Sequence, residues 1–386
     1  MLQIHANSAF TKVAAIVTVA AAAAALTSCN RDDVASARGD TPQANIDKAQ
    51  AAVDEALQPP DKITQTQPLP EAPEKGGRVV VTTDGLPDSL RINEGVEQAA
   101  EAVGWEFVSV PKDAANPASL QSSLMNALAE NPTVVTESGN PQSQFSESVL
   151  NAYAKADVPI VLDSTHPVEA TDVIIGSSEN IPDGYEYNKA LGKTLADWFI
   201  ADSEGQGTAI IENVSGYPSL TGVPDGFKAE VDALCPGCHV KVVDVSLADL
   251  GAGKLQDTVI SAIRRENADY VFFDNGAFAT GINSQMRAAG LGDVKIGGVS
   301  PQAESIQALK DGTQHAWMGI GFNYVGWAAM DLVFRHLQGV DLTTNNAVQP
   351  TQLLTKDNAE EGLWELPSDG LEQFKVLWQV SEAGEQ

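Results

Sequence analysis

The chain has 386 residues, enough to bury two substantial cores, and an ordinary globular composition. Its 52 acidic against 23 basic side chains leave a formal charge of -29, which repels nucleic-acid phosphates and anionic lipid headgroups and argues against a nucleic-acid partner. The acidity itself reads as a solvated, solubilising surface.

In chain order, Lys12 is followed by "VAAIVTVAAAAAALTS", an uncharged run too short to span a bilayer, for which roughly twenty residues are needed. It has the form of a signal peptide, over residues 1–28. Leu26, Thr27 and Ser28 precede Cys29 in a pattern that resembles the lipobox of bacterial lipoproteins. That resemblance implies lipidation of Cys29 and an address in the cell envelope, with the N-terminal lipid alone anchoring the protein to the extracytoplasmic face of the membrane. A plain secretory signal with an incidental cysteine is the alternative. Residues 29–77 are polar, Ala-rich and dotted with proline, so a flexible tether with a reach of roughly 35–40 Å is expected; "NIDKAQAAVDEAL" within it is compatible with a short helix.

From Arg78 short apolar runs alternate with amphipathic stretches. "RVVVTT", "WEFVSV", "TVVTES" and "PIVLDS" read as strands, separated by helices such as "SLRINEGVEQAAEAVG" and "SQFSESVLNAYAKAD". After "DVIIGSSEN" a second series begins, with strands "GTAIIEN", "HVKVVDV", "YVFFDN" and "VKIGGVS". Strands made almost wholly of Val, Ile and Phe between helices predict parallel sheets covered on both faces, and the length suits two of them. Each strand ends in a polar or Gly-containing loop. Ligands of open parallel sheets bind outside those carboxyl ends, so two sheets facing through such edges would enclose a cleft.

Cys235 and Cys238 lie in "LCPGCHV", between the amphipathic "GFKAEVDAL" and the strand "HVKVVDV". A structural disulfide clip is expected, because a redox pair would sit at a helix N-terminus, and His239 is the only further nitrogen ligand nearby for zinc. A nucleophile elbow, a P-loop, a zinc helix and a dinucleotide fingerprint are all absent from the sequence. Neither a metal nor a cofactor is expected.

The marks "RVVVTTDGLPDSLRINEGVEQAAEAVG" with Gly95, "VPIVLD" with Asp163, "IIGSSEN", "PDGFKAEV", "FFDNGAFATGINSQMRAAG" and "IQALKDG", in this order, resemble the type I (ribose-binding-like) periplasmic binding proteins that feed ABC importers. The resemblance implies an α/β fold of two doubly wound parallel-sheet lobes joined by a three-crossing hinge that closes on ligand. The crossings are expected near Ser178–Asn180, near Ser300–Gln302 and after Gly339. Residues 78–179 plus 301–339 would then form the N-terminal lobe and residues 180–300 plus 340–386 the C-terminal lobe.

The expected ligand-binding residues are Asp84, Leu86 and Asp88 in "DGLPDS", Glu137 and Asn140 in "TESGN", and Asp163 and Ser164 in "LDST". From the other lobe they are Tyr217 in "SGYPS", Asn275 and Phe278 in "DNGAF", Ser300 in "VSPQ", and Phe322. Sugar-binding relatives pair Asp163 with an arginine where this chain has Ser164, follow Asn275 with a carboxylate where it has Gly276, and often place an aspartate at Ser300. A sugar hydroxyl buried without these partners loses roughly 1–3 kcal/mol per unpaired group, so either other polar groups compensate or the ligand is a less polar ring compound. Trp317, Phe322, Tyr324 and Trp327 are candidates for stacking on a ring or, for Trp317 and Trp327, for core packing.

The resemblance implies a monomeric solute-binding lipoprotein delivering a small molecule to an ABC permease and its ATPase. A ligand sensor of a signalling system and a lipid-tethered hydrolase are the alternatives.

Overall fold

The computed structural model describes residues 39–113, 116–163, 168–178, 184–217, 219–365 and 367–380. The signal peptide, Cys29, Ser164 and His166 lie outside them. Two α/β lobes are formed. The first holds β1 (Arg78–Thr83), β2 (Glu106–Pro111), β3 (Val134–Ser138), β4 (Ile160–Asp163) and β5 (Ile174–Ser177), all parallel in the order β2-β1-β3-β4-β5. The second holds β6 (Thr208–Val214), β7 (His239–Val245), β8 (Tyr270–Phe273), β9 (Lys295–Val299), β10 (Ala316–Ile320) and β11 (Thr351–Leu354). Read from β7 through β6 to β10 it repeats the same parallel order, and β11 adds antiparallel to β10. Both lobes are therefore doubly wound, with a switch point beside the first strand of each.

The helices are α1 (Gln43–Ala56), α2 (Pro87–Val103), α3 (Pro117–Ala129), α4 (Glu147–Ala156), α5 (Gly184–Asp202) and α6 (Gly222–Leu234). They continue with α7 (Leu247–Gly251), α8 (Leu255–Glu266), α9 (Ile282–Ala288), α10 (Ala303–Lys310), α11 (Phe322–Leu337) and α12 (Gly370–Leu377). Proline opens α2, with Asp88 in its first turn where the helix dipole favours a negative charge, and Gly104 at φ 72 ends it. Val79, Val80 and Val81 of β1 are fully buried, as expected for a strand covered on both faces. No helix of the described residues is long and apolar enough to cross a membrane.

In each lobe two helices touch through glycine. A Cβ at Gly95 of α2 would stand 2.1 Å from the Asn323 carbonyl of α11, and one at Gly192 of α5 would stand 2.0 Å from the Val223 carbonyl of α6. Backbone cannot give way there as a flexible side chain would. Gly95→Ala should push α2 from α11 and cost about 1–3 kcal/mol, the usual range for overpacking. An unchanged urea-denaturation midpoint would show that the helices separate freely.

Cys235 and Cys238 are joined at the exit of α6, where the sequence places a clip between helix and strand.

The lobe boundaries differ from expectation in three ways. First, the chain does not cross at Ser300–Gln302. It continues through α10 into β10, "AWMGI", which pairs with β9 and buries Trp317, so residues 301–320 belong to the second lobe and the crossing falls at Gly321. Second, residues 340–386 are not one lobe's property. β11 joins the second sheet, but α12 returns to the first lobe, where Phe374 and Trp378 pack with Tyr324 and Phe334. Third, the described part of the expected tether is folded. Ile46, Ala49 and Val53, spaced to share one face of α1, pack on the second lobe against α5, and Ile63 and Leu69 then plug into the first. Polar ties fix this strap: Asn45 Nδ2 donates to the Leu234 carbonyl at 2.8 Å, and the Leu69 amide donates to the Leu377 carbonyl at 2.8 Å.

Candidate functional site

A cavity of about 200 Å³ lies between the lobes, outside the carboxyl ends of their strands. The first lobe contributes Asp88, Ser89 and Ile92 from α2, Ser138 at the end of β3 with Gly139 after it, and Asp163 at the end of β4. Opposite stand Asn188 of α5, Asp274 and Asn275 after β8, and Val299 at the end of β9 with Ser300 after it. Ile320, Phe322, Val325 and Gln349 close the hinge side as a largely apolar wall.

Asp88 ties the lobes together. Its carboxylate accepts from Asn275 Nδ2 at 3.2 Å, from Ser300 Oγ at 3.3 Å and from Gln302 Nε2 at 3.3 Å, all of the other lobe. Ser300 is held at φ 56, in the left-handed region that a serine seldom adopts, a conformation that persists only where its surroundings enforce it. A glycine, Gly276, is required alongside, because a Cβ there would stand 2.3 Å from the Ser300 carbonyl.

Carboxylates dominate the charge. Lys112, which directly follows β2, is buried with its ammonium against Glu137, the Ser138 carbonyl and Asn140 Oδ1. Burial nevertheless pushes Glu137 up to about 8 against the pull of Lys112. Burial also raises Asp163 to about 7, Lys112 opposing and Asp84 reinforcing the shift. In the second lobe Glu212 and Asp274 are both fully buried and in contact; Asp274 accepts from the Val214 amide at 2.8 Å. Burial raises Asp274 to about 7 and Glu212 well above its usual range, with repulsion between the two adding to the latter.

Five residues expected from the sequence meet at the cavity: Asp88, Asp163, Asn275, Ser300 and Phe322. Asp84 and Leu86 do not line it: Asp84 Oδ1 accepts from the Leu86 amide at 3.0 Å, and the Leu86 side chain is exposed. Glu137 and Asn140 are occupied by Lys112. Tyr217 and Phe278 stack on each other, centroids 6.4 Å apart and planes at 15°, rather than lining the cavity. Ser164 lies outside the described residues. Trp317 and Trp327 are core residues, donating to Gln314 and Gln98, and Tyr324 is buried against Thr64; of this aromatic group Phe322 alone lines the cavity, with the Arg91 guanidinium 4.8 Å from its ring centre. Sequence reasoning missed Lys112, Ile92, Ser138, Asn188, Asp274 and Gln349. For Lys112 a signal existed, since "SVPKDA" is also a loop at the carboxyl end of a strand. For Asn188 and Gln349, on an early helical turn and a hinge segment, the sequence carries no local mark.

Residues 77–341 match the model of the periplasmic binding protein domain family. Solved structures share the fold at low identity. A solute-binding protein of an ABC transporter from Burkholderia graminis, in complex with D-arabinose, has 18% identity and a TM-score of 0.60 over 75% of this chain and 98% of its own. Another, from Agrobacterium vitis with bound alpha-D-tagatopyranose, has 18% identity and a TM-score of 0.59 over 73% and 95%. A putative LacI transcriptional regulator from Bacteroides fragilis has 14% identity and a TM-score of 0.58 over 74% and 98%. No curated protein sequence matches.

Proposed function

The chain belongs to the periplasmic binding protein domain family, and on that premise we propose that it captures a sugar or sugar-like solute between its lobes and delivers it to the permease and ATPase of an ABC importer. In this reading the protein works as a monomer, lipid-anchored through Cys29 at the outer face of the membrane. The observation that carries the proposal is the interlobe cavity bridged by Asp88 to Asn275, Ser300 and Gln302 of the opposite lobe. Groups that grip one another across the cleft can grip a ligand instead, and a solute touching both walls favours the closed state by its differential contacts. A permease that reads the closed surface then receives loaded protein in preference to empty protein.

The sugar-bound neighbours from Burkholderia graminis and Agrobacterium vitis support the solute class. Asp163 and Asn275 would accept from and donate to ligand hydroxyls, and Phe322 would offer a ring an apolar face. The regulator neighbour gives a sensor reading its support, since the same closure could signal rather than transport.

Replacing Asp163 and Asn275 together by alanine should remove roughly 2–4 kcal/mol of binding, on the order of 100-fold in affinity, with little change in melting. Calorimetry with D-arabinose, D-tagatose and any compound that co-purifies reads this directly; equal affinity of variant and parent for a ligand they both bind would remove the two residues from the site.

A further inference from the structure

The cleft is asymmetric in charge, and this narrows the solute class, given the capture role proposed above. Its amide side chains are neutral, and each spends at least one N–H on the protein. Asn275 and Gln302 donate to Asp88, Asn188 donates to the Gly184 carbonyl, and Gln349 to the Gly321 carbonyl. The two nearby cations are turned away as well: Arg91 is bound to Glu365 and to the Ile320 and Trp364 carbonyls, and Lys112 to Glu137, Ser138 and Asn140. What remains is negative charge centred on Asp88. Asp88 faces neutral donors only, Asp163 stands in the wall beside Asp84 and Glu137, and Asp274 closes the far side. The hydroxyl of Ser138, on a residue 5% exposed that lines the cavity, has no hydrogen-bond partner. Against these stands an apolar wall of Ile92, Val299, Ile320 and Phe322.

We propose that the cleft is selective for a cationic solute, a ring compound bearing an ammonium group, with its charge on the wall of Asp88 and Asp163 and its ring against Ile320 and Phe322. An ammonium supplies three donors and a positive charge to Asp88, and beside Asp163, raised by burial to about 7, it favours the charged carboxylate. An anionic sugar would be repelled by the same wall.

The test uses the full mature chain and calorimetry near neutral pH with two trios of matched probes: glucosamine, glucose and glucuronate; and tyramine, tyrosol and para-hydroxyphenylacetate. In any trio that binds, the ammonium member should bind at least about 10-fold tighter than the neutral one and at least about 100-fold tighter than the carboxylate. Asp163→Asn should narrow the ratio between ammonium and neutral members. A neutral or carboxylate member that binds as tightly as its ammonium partner overturns the charge selectivity while leaving solute capture standing. No binding in the millimolar range by any member of either trio overturns both.

Discussion

Lys112→Met should destabilise the protein by about 3–5 kcal/mol in mildly alkaline buffer, and by clearly less in mildly acidic buffer. The ammonium is buried with its partner, side-chain exposures being 3% for Lys112 and 0% for Glu137, so methionine fills the volume but leaves a carboxylate with no counter-charge and the Ser138 carbonyl without its donor. The sign of the pH effect follows from Glu137. Its folded pKa, about 8, already stands above the ordinary value of 4.5, so the folded state holds a proton that the unfolded chain releases, and stability is lost as pH rises through that range. Without Lys112 the folded pKa climbs further and the loss grows with pH. Urea midpoints of parent and variant at two pH values measure it. A deficit of equal size at both would mean that Lys112 acts by packing alone.

A loss of similar size, about 3–5 kcal/mol, is expected for Asp331→Ala. Asp331 is fully buried on α11, and its two oxygens accept from Arg335 Nε at 2.7 Å, Trp378 Nε1 at 2.9 Å and Gln65 Nε2 at 3.2 Å. One carboxylate thus joins α11, the segment following α12 and the N-terminal strap, and Arg335 in turn donates to the Gln67 carbonyl. Alanine leaves a guanidinium that is 1% exposed without its counter-ion. Replacing the pair together, Asp331→Leu with Arg335→Met, should cost less than the single change, because no buried charge is then left alone. The single variant should also admit protease to residues 58–77 ahead of global unfolding, read by mass mapping of early fragments. A double variant as unstable as the single one would show that Gln65 and Trp378, rather than the ion pair, hold this junction.

Much of the fold was legible because its rules are local. "RVVVTT" and "YVFFDN" read as buried parallel strands from composition alone, and the polar loops after them had to lie at the carboxyl edge, which brought Asp88, Asp163, Asn275 and Ser300 into view. The strand "AWMGI" escaped because it is only five residues long and its alanine and glycine disfavour a strand, and that one omission moved a crossing by a whole βα unit. The strap escaped for the opposite reason. Its segment is polar and proline-dotted, as a tether would be, and its few apolar groups gain their value only where Ala49, Val53 and Leu69 find matching surfaces on two lobes far away in sequence.

By itself, then, the sequence determined the alternation of strand and helix, the edge at which a ligand must lie, the cysteine clip and the family. Tertiary structure decided which acids share a wall, which cations are neutralised by them, and which of the aromatic residues near the hinge faces the cleft. Periodicity and strand polarity are fixed within a few residues of chain, whereas the burial of Lys112 and the charge states of Glu137 and Asp274 depend on solvent removed by segments tens to hundreds of residues away.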